Sequence, residues 1–303
     1  MSFSVQILGS GSAVPTSSRG LTSQYVICSN RHILIDCGEG TQTQMRKFGV
    51  KFQRIDIVLI SHLHGDHYFG LVGLLSTMHL LGRVNPIKIY GPEELKEIIF
   101  MQLHYGGAKL SYDIEFVPTK NDDLNLIFED EKIEVHSFPL AHKIPTTGFR
   151  ITEKQKERKI IPSKVKRDNI KLEYYHILKS GKDAIDEDGN TISFEKYTKE
   201  NDPAKIYAFC SDTKYTESII PFVEGVDIMY HEATFTEAFI DRAKATMHAT
   251  AQQAANIAKS ANVKKLLMGH LSARYASGEE HVAEAQPIFE NCEVVEDGMT
   301  YFV

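Results

Sequence analysis

The run Ser61-His62-Leu63-His64-Gly65-Asp66-His67 puts three imidazoles and one carboxylate within six residues. These are the hard and borderline donors that divalent zinc takes. A single His at the end of an apolar strand is ordinarily a packed or surface residue. Four ligand-type side chains in six positions predict a metal site, and Gly65 lets the backbone fold them around a point. The cluster cannot fill two metals alone, so further ligands must arrive from distant segments.

Three other stretches repeat one arrangement, an apolar strand closed by a ligand-type residue. Val135–Ala141 leads to His142, Ile206–Ser211 to Asp212, and Lys265–Gly269 to His270. Strand ends in α/β-type proteins tend to gather at one edge, where sites are built. Each of the three taken singly reads as structural. In company with the cluster they are candidate ligands.

The elements that must position these residues are mostly strands. Apolar, β-branched runs bounded by Gly, Pro, Asp or Asn begin at Val5–Leu8 and recur to Lys265–Met268. Helical patterns lie between several of them, at Thr41–Phe48, Tyr68–Leu81, Glu93–Leu103, Glu217–Val223, Thr250–Ala261 and His281–Phe289. Strands with short connections fill the first third, and strand alternates with helix in the last. That mixture predicts an α/β chain of two mixed sheets covered by helices. One stretch does not read as core: from Glu153 to about Asp202 it is highly charged and poor in aliphatic clusters. It reads as an excursion from a single domain spanning 1–303, a basic arm at about 153–182 followed by an acidic loop to about 202.

Composition narrows the function class. With 303 residues and 42% hydrophobic content the chain buries a large core. No apolar run approaches the ~18–20 residues that cross a membrane. The N-terminus reads as a strand, so the expectation is a cytoplasmic protein with no membrane partner. Cys28, Cys37, Cys210 and Cys292 lie far apart without a CxxC pair, which argues for buried thiols and against a disulfide scaffold or thiolate zinc site. The net charge of −6 argues mildly against a general polyanion binder. Between Ile151 and Lys182, however, ten Lys or Arg face four Asp or Glu, a local excess of +6. A segmental basic excess points to a polyanionic partner, although charge alone fits a plain solvated insertion equally well.

The order HxHxDH, then His, Asp and His, resembles the metallo-β-lactamase superfamily over nearly the whole chain. The resemblance implies an αβ/βα four-layer sandwich of two mixed β-sheets with outer helices, plus a protruding arm. It also implies two zinc ions per subunit. His62, His64, His142 and Asp212 would hold the first, and Asp66, His67, Asp212 and His270 the second, with Asp212 bridging. Asp66 would also act as proton acceptor. Two such metals suit hydrolysis of an unactivated phosphodiester, where transition-state charge must be stabilised.

Further segments resemble the ribonuclease Z family in order and spacing. They are Leu8–Pro15 with Arg19, Ile35–Gln42, His231–Phe235 and Gly269–Tyr275. Asp36 reads as a support for the metal ligands through hydrogen bonds. By the same resemblance His248, in Met247-His248-Ala249-Thr250, protonates the leaving 3′ oxygen and Glu232 orients it. Arg19 and Arg274, with Lys164, Lys166, Arg167 and Lys171 of the arm, would bind RNA. The family implies a zinc-dependent endoribonuclease that cuts precursor tRNA near its 3′ end, leaving a 3′-hydroxyl on the tRNA and a 5′-phosphate on the trailer. It also implies a homodimer.

Three departures stand out. The family's Pro-x-Lys-x-Arg-Asn loop is here Pro15-Thr16-Ser17-Ser18-Arg19-Gly20, the arm lacks a Gly-Pro element, and Ala249 replaces a serine. The first leaves open where the cut falls relative to CCA. Two other function classes compete: a related hydrolase of a small phosphodiester or other ester, and a non-catalytic scaffold. All seven ligand positions are filled, which weighs against the scaffold.

Overall fold

Residues 3–303 are described by a computed structural model. The main unit comprises Met1–Thr152 and Lys205–Val303 by its internal contacts. It contains two seven-stranded sheets. In the first, Thr300–Phe302, Ser4–Gly9, Ser23–Cys28 and Arg31–Ile35 pair antiparallel. The sheet then continues in parallel through Ile57–Leu59, Ile87–Gly91 and Ile114–Pro118. The second runs in parallel through Cys292–Val294, Leu266–Gly269, Ile228–Glu232 and Ile206–Cys210. It turns antiparallel at Thr146–Glu153 and ends on the Ile133–Leu140 and Asn125–Glu129 hairpin.

Three apolar clusters make the layers. Ile7, Val26, Ile33, Leu59, Phe149, Phe209 and Leu267 belong to the cluster that fills the space between the sheets. Leu34, Val58 and Ile89, from the opposite face of the first sheet, pack with Met45, Leu74 and Ile99 of the helices Thr41–Lys47, Leu71–Leu80 and Glu94–Tyr105. On the second sheet, Ala208, Met229 and Met268 pack with Ala254, Ala255 and Ala258 of the helix Ala251–Ser260. Alternate residues of each strand thus face the shared core and the outer helices, as a period of two requires. Each fully buried large side chain contributes about 1.5–3 kcal/mol, so these layers fix the strand ends on which the site stands. The expected sandwich of two mixed sheets with outer helices is the observed fold.

Several boundaries differ from those the sequence suggests. The Ile55–Ile60 run is a strand only over Ile57–Leu59, because Ile55 closes a 3-10 turn, Phe52–Arg54. The helix expected over Tyr68–Leu81 begins at Leu71, after a separate helical turn, Gly65–Tyr68. Gly70 lies between them against the backbone of residue 38, where an added Cβ would sit 2.2 Å from the Gly38 carbonyl oxygen.

Residues Glu153–Ala204 form a unit of their own. It has a small apolar core of Val165, Leu178, Ala184, Ile192 and Tyr197. Two short ribbons pair Lys159–Ile160 with Thr198–Lys199 and Ala184–Ile185 with Thr191–Ile192. The acidic stretch Asp183–Asn190 is therefore largely the turn of a hairpin, in which the Asp186 carboxylate accepts from the backbone of Asp188 and Asn190. Because the core draws on residues either side of 182, the basic and acidic stretches fold together. Among the described residues, no helix is long and apolar enough to cross a membrane.

Candidate metal centre

The cluster follows the strand Ile57–Leu59, and Ser61 is the hinge on which it turns. Ser61 N–H and Oγ–H both donate to the Asp36 carboxylate, at 2.8 and 2.9 Å. Asp36 itself has φ 54, a left-handed backbone that Asp tolerates better than most residues. Its Oδ2 takes His67 Nδ1 at 2.7 Å. The expected supporting role of Asp36 is thus visible as three hydrogen bonds to a wholly buried carboxylate.

The other histidines are tethered in the same way. His142 Nδ1 meets the Met247 carbonyl at 2.8 Å, His270 Nδ1 meets Thr234 Oγ1 at 2.9 Å, and His62 Nδ1 meets Ser61 Oγ at 3.0 Å. With Nδ1 occupied, each ring presents Nε2 to one shared space. His64 instead presents Nδ1, 3.0 Å from His62 Nε2 and 3.2 Å from His142 Nε2. Tethering one ring nitrogen so that the other faces inward is the usual support of a metal-binding imidazole. His270 holds φ 60, a strained conformation for a non-glycine residue. Such strain costs of order 1–3 kcal/mol and persists where the surroundings over-determine it.

Asp212 follows the strand Ile206–Cys210, and the Ala141 N–H donates to the neighbouring Thr213 Oγ1 at 3.1 Å. That bond holds His142 beside it. Asp212 Oδ2 lies 3.7 Å from His62 Nε2 and 3.8 Å from His142 Nε2. Its Oδ1 lies 3.2 Å from His270 Nε2 and 3.4 Å from His67 Nε2. Asp66 Oδ2 completes the second side, 3.3 Å from His270 Nε2 and 3.4 Å from His67 Nε2. Donor atoms of His62, His64, His142 and Asp212 lie within 4.8 Å of one another, as do those of Asp66, His67 and His270.

The chemistry of this donor set fits metal ions. Asp36, Asp66, Asp212 and Glu232 are all buried. Among the described residues, histidines alone come within ion-pairing distance of Asp66 and Asp212. Burying so much negative charge without a cation is costly. His67 Nε2 and Asp212 Oδ1 are buried with no hydrogen-bond partner, as atoms reserved for a ligand would be. Burial pushes the pKa of His62, His64 and His142 down, so these rings are neutral and their lone pairs available. Burial opposes charge on Asp66 and Asp212 as well, but the surrounding imidazoles outweigh it and hold both carboxyls well below the usual range.

His248 sits between two helices, Ile240–Thr246 and Ala251–Ser260. Met247 turns the chain in a left-handed conformation, and Thr250 starts the second helix with a capping box to Gln253, worth about 1 kcal/mol. His248 Nδ1 meets Glu232 Oε1 at 2.8 Å. Glu232 also accepts from Thr213 N, Thr234 N and Thr234 Oγ1, at 2.9, 3.1 and 2.7 Å. Burial disfavours a charged His248, but the Glu232 carboxylate overrides it and lifts the pKa to about 9. His248 lines, with His64, Phe69, Lys143, Arg242 and Arg274, an open cavity of about 680 Å³. Asp212, His248 and His270 also lie close enough to form a third candidate ligand group.

The expected RNA contacts lie in several places. Arg274 lines the cavity with its guanidinium over the rings of Phe239 and Phe235, 4.3 and 5.1 Å from their centres. Arg19 is only 7% exposed, and its Nη1 donates to the Tyr275 carbonyl at 2.8 Å, so this cation anchors its own loop. Within the Glu153–Ala204 unit, Arg167 pairs with Asp168, and Lys171 with Glu187. Lys164 and Lys166, on the helix Pro162–Arg167, make no ion pair among the described residues. Sequence reasoning gave no role to Thr234, which links Glu232, His248 and His270. Only its place two residues after Glu232 signalled it.

Comparisons with known proteins agree with this architecture. Residues 3–159 match the family model described as anti-Pycsar protein Apyc1. The chain is 43% identical to the ribonuclease Z of Parabacteroides distasonis, covering 98% of each protein. It is 41% identical to that of Bacteroides fragilis over 95% of each. Among solved structures, the short form of human tRNase Z is 28% identical with a TM-score of 0.72, covering 98% of each chain. The metallo-β-lactamase fold protein YhfI of Bacillus subtilis has a TM-score of 0.71 at 17% identity, covering 100% of each, a likeness of fold alone.

Proposed function

Because this chain belongs to the ribonuclease Z family, a family of metal-binding endoribonucleases, we propose that it is a zinc enzyme that cuts precursor tRNA in the cytoplasm near the 3′ end. The products are a tRNA with a 3′-hydroxyl and a trailer with a 5′-phosphate. The observation that carries the reading is Asp212, whose two oxygens each face a separate histidine set. His62, His64, His142 and Asp212 would hold one zinc, and Asp66, His67, Asp212 and His270 the other. A homodimer, as the family implies, completes the proposal.

Bound zinc supplies Lewis acidity, which activates water and stabilises charge on the phosphodiester in the transition state. The chain supplies the rest. The tethered Nδ1 atoms of His62, His67, His142 and His270 hold those rings in fixed orientations, so no reorganisation is needed during the reaction. Glu232 fixes His248 at Nδ1 and favours its protonated form. His248 then keeps a proton on Nε2 to give to the leaving 3′ oxygen, a task for a general acid. Asp66 is the proton acceptor in this scheme. Its depressed pKa makes it a weak base, so ligation is its principal contribution. Arg274 neutralises phosphate at the cavity wall, while Lys164, Lys166, Arg167 and Lys171 grip the RNA backbone.

The second reading is hydrolysis of a small phosphodiester or other ester. The candidate ligands alone would serve it equally well, and the Apyc1 family match includes His62 to His67 and His142 without distinguishing the substrate. The match ends before Asp212, Glu232, His248 and His270, and covers only seven residues of the Glu153–Ala204 unit. Mapping the products of one end-labelled precursor tRNA at nucleotide resolution separates the two. A discrete cut near the 3′ end with a ligatable 3′-hydroxyl supports the first reading. An intact precursor beside rapid turnover of a small diester supports the second.

A further inference from the structure

Asp297 lies in the turn between the last two strands, far in sequence from the metal cluster. Its Oδ1 accepts from Ser10 N and Ser10 Oγ, at 2.9 and 2.8 Å. Its Oδ2 accepts from Gly20 N at 2.7 Å and from Gln44 Nε2 at 2.5 Å. Ser10 and Gly20 are the two roots of the loop Gly11–Arg19. The tip residues Ala13, Val14 and Pro15 wall the cavity that His64 and His248 also line. One carboxylate therefore holds both ends of a loop that borders the cut.

The carboxylate is itself held rigidly. Gly298 N–H donates to Ile7 O at 2.7 Å, and Ile7 N–H donates to Met299 O at 2.9 Å, which ties the turn to the first strand. Gly298 has φ 92 and lies against the Phe48 ring, where a Cβ would approach to 2.5 Å. Gln44 is fixed too, because its Nε2 also donates to the Leu8 carbonyl at 2.8 Å. The loop is also tied along its base, where Gly11 N–H donates to Gly20 O at 2.9 Å and Ser12 N–H donates to Leu271 O at 3.2 Å. Inside it, Thr16 bonds Arg19 and Ser18, and Arg19 reaches out to Tyr275. Among the described residues Ala13, Val14 and Pro15 make no hydrogen bond of their own, so their placement depends on the roots together with Ser12 and Thr16.

We propose that Asp297 is a positioning residue: by clamping Ser10 and Gly20 it sets the loop wall against which the RNA strand lies, and so selects the phosphodiester that is cut. The inference rests on the endoribonuclease reading above. Asp297→Asn tests it sharply, because each carboxylate oxygen faces a backbone N–H that can only donate, Ser10 N–H at Oδ1 and Gly20 N–H at Oδ2. Whichever way the amide turns, its NH2 meets one of them.

The experiment maps cleavage of a precursor tRNA by Asp297→Asn at nucleotide resolution, with kcat and KM. Metal content and turnover of bis(p-nitrophenyl) phosphate are measured on the same preparation. Cuts spread over neighbouring phosphodiesters, and kcat/KM on the RNA falls about tenfold to a hundredfold, as a misplacement of about 1 Å does. Metal content and diester turnover stay at the wild-type level. Ser10→Ala, which removes one donor and keeps the backbone, shifts the same readouts in the same direction by less. It also carries the test should the Asn variant misfold. Wild-type cleavage position and kcat/KM in both variants overturn the inference and leave the parent reading intact. Equal loss on RNA and diester together with metal overturns it as well, since Asp297 would then support the fold at large. A wild-type protein that leaves precursor tRNA uncut overturns both.

Discussion

Asp212 Oδ1 stands 3.2 Å from His270 Nε2, while Asp212 Oδ2 turns the opposite way, toward His62 and His142. Two candidate ligand sets contributed by both sheets therefore face one carboxylate. Asp212→Asn is expected to lower metal content measurably by atomic emission. Loss of an outer support of a metal ligand costs about 10–100-fold in affinity or activity. Loss of the shared ligand should exceed that range. A variant with full metal content and full activity would remove Asp212 from the centre.

His248 and Glu232 make a different prediction, because they meet at 2.8 Å beside the two ligand groups. His248→Ala should lower turnover of precursor tRNA by about 10²–10⁴-fold, the usual contribution of a positioned acid. Metal content should stay unchanged. Loss of metal in this variant would instead make His248 a ligand, consistent with its place near Asp212 and His270.

Lys164 and Lys166 make no ion pair among the described residues of the helix Pro162–Arg167 and its surroundings, whereas Arg167 and Lys171 are partly neutralised by neighbours. The double substitution to Glu should raise KM for precursor tRNA. It should also flatten the dependence of log KM on log salt, by about one unit for each phosphate that is no longer neutralised. An unchanged salt slope would mean that this helix does not touch RNA.

His281 offers a pH test outside the centre. Its ring is fully buried, and burial reinforced by the Arg19 cation pushes its pKa down to about 4. In the unfolded chain the same group titrates near ~6.5. Protonation therefore favours the unfolded state. The stabilising contribution is complete above ~6.5 and is lost as the pH falls toward the folded value, by up to about 3 kcal/mol. The difference in melting temperature between wild type and His281→Leu should thus move in favour of the variant between pH 6.5 and 4. A difference that stays flat over this interval would show that His281 is solvated.

The sequence makes the site more legible than its supports. The candidate ligands announce themselves by residue type at strand ends, because a metal needs those side chains at the edge where parallel strands finish. Asp36 is legible for the same reason. Thr234, Ser61 and the Met247 carbonyl are not, since a hydroxyl or a carbonyl looks ordinary until the fold brings an imidazole to it. Arg19 shows the opposite error: a cation in a loop reads as a phosphate contact, and its burial against Tyr275 follows only from tertiary packing. Asp297 is likewise silent, because its four partners come from three separate segments. The core of the 153–204 unit escapes notice because Val165, Leu178, Ile192 and Tyr197 are spread thinly among charges.

The most direct test of the metal centre is single-turnover cleavage of one precursor tRNA by the protein stripped of metal and then restored. A two-metal endoribonuclease makes no cut without metal, and one discrete cut near the 3′ end when two zinc equivalents are returned. Cleavage at an equal rate by the stripped protein would contradict it.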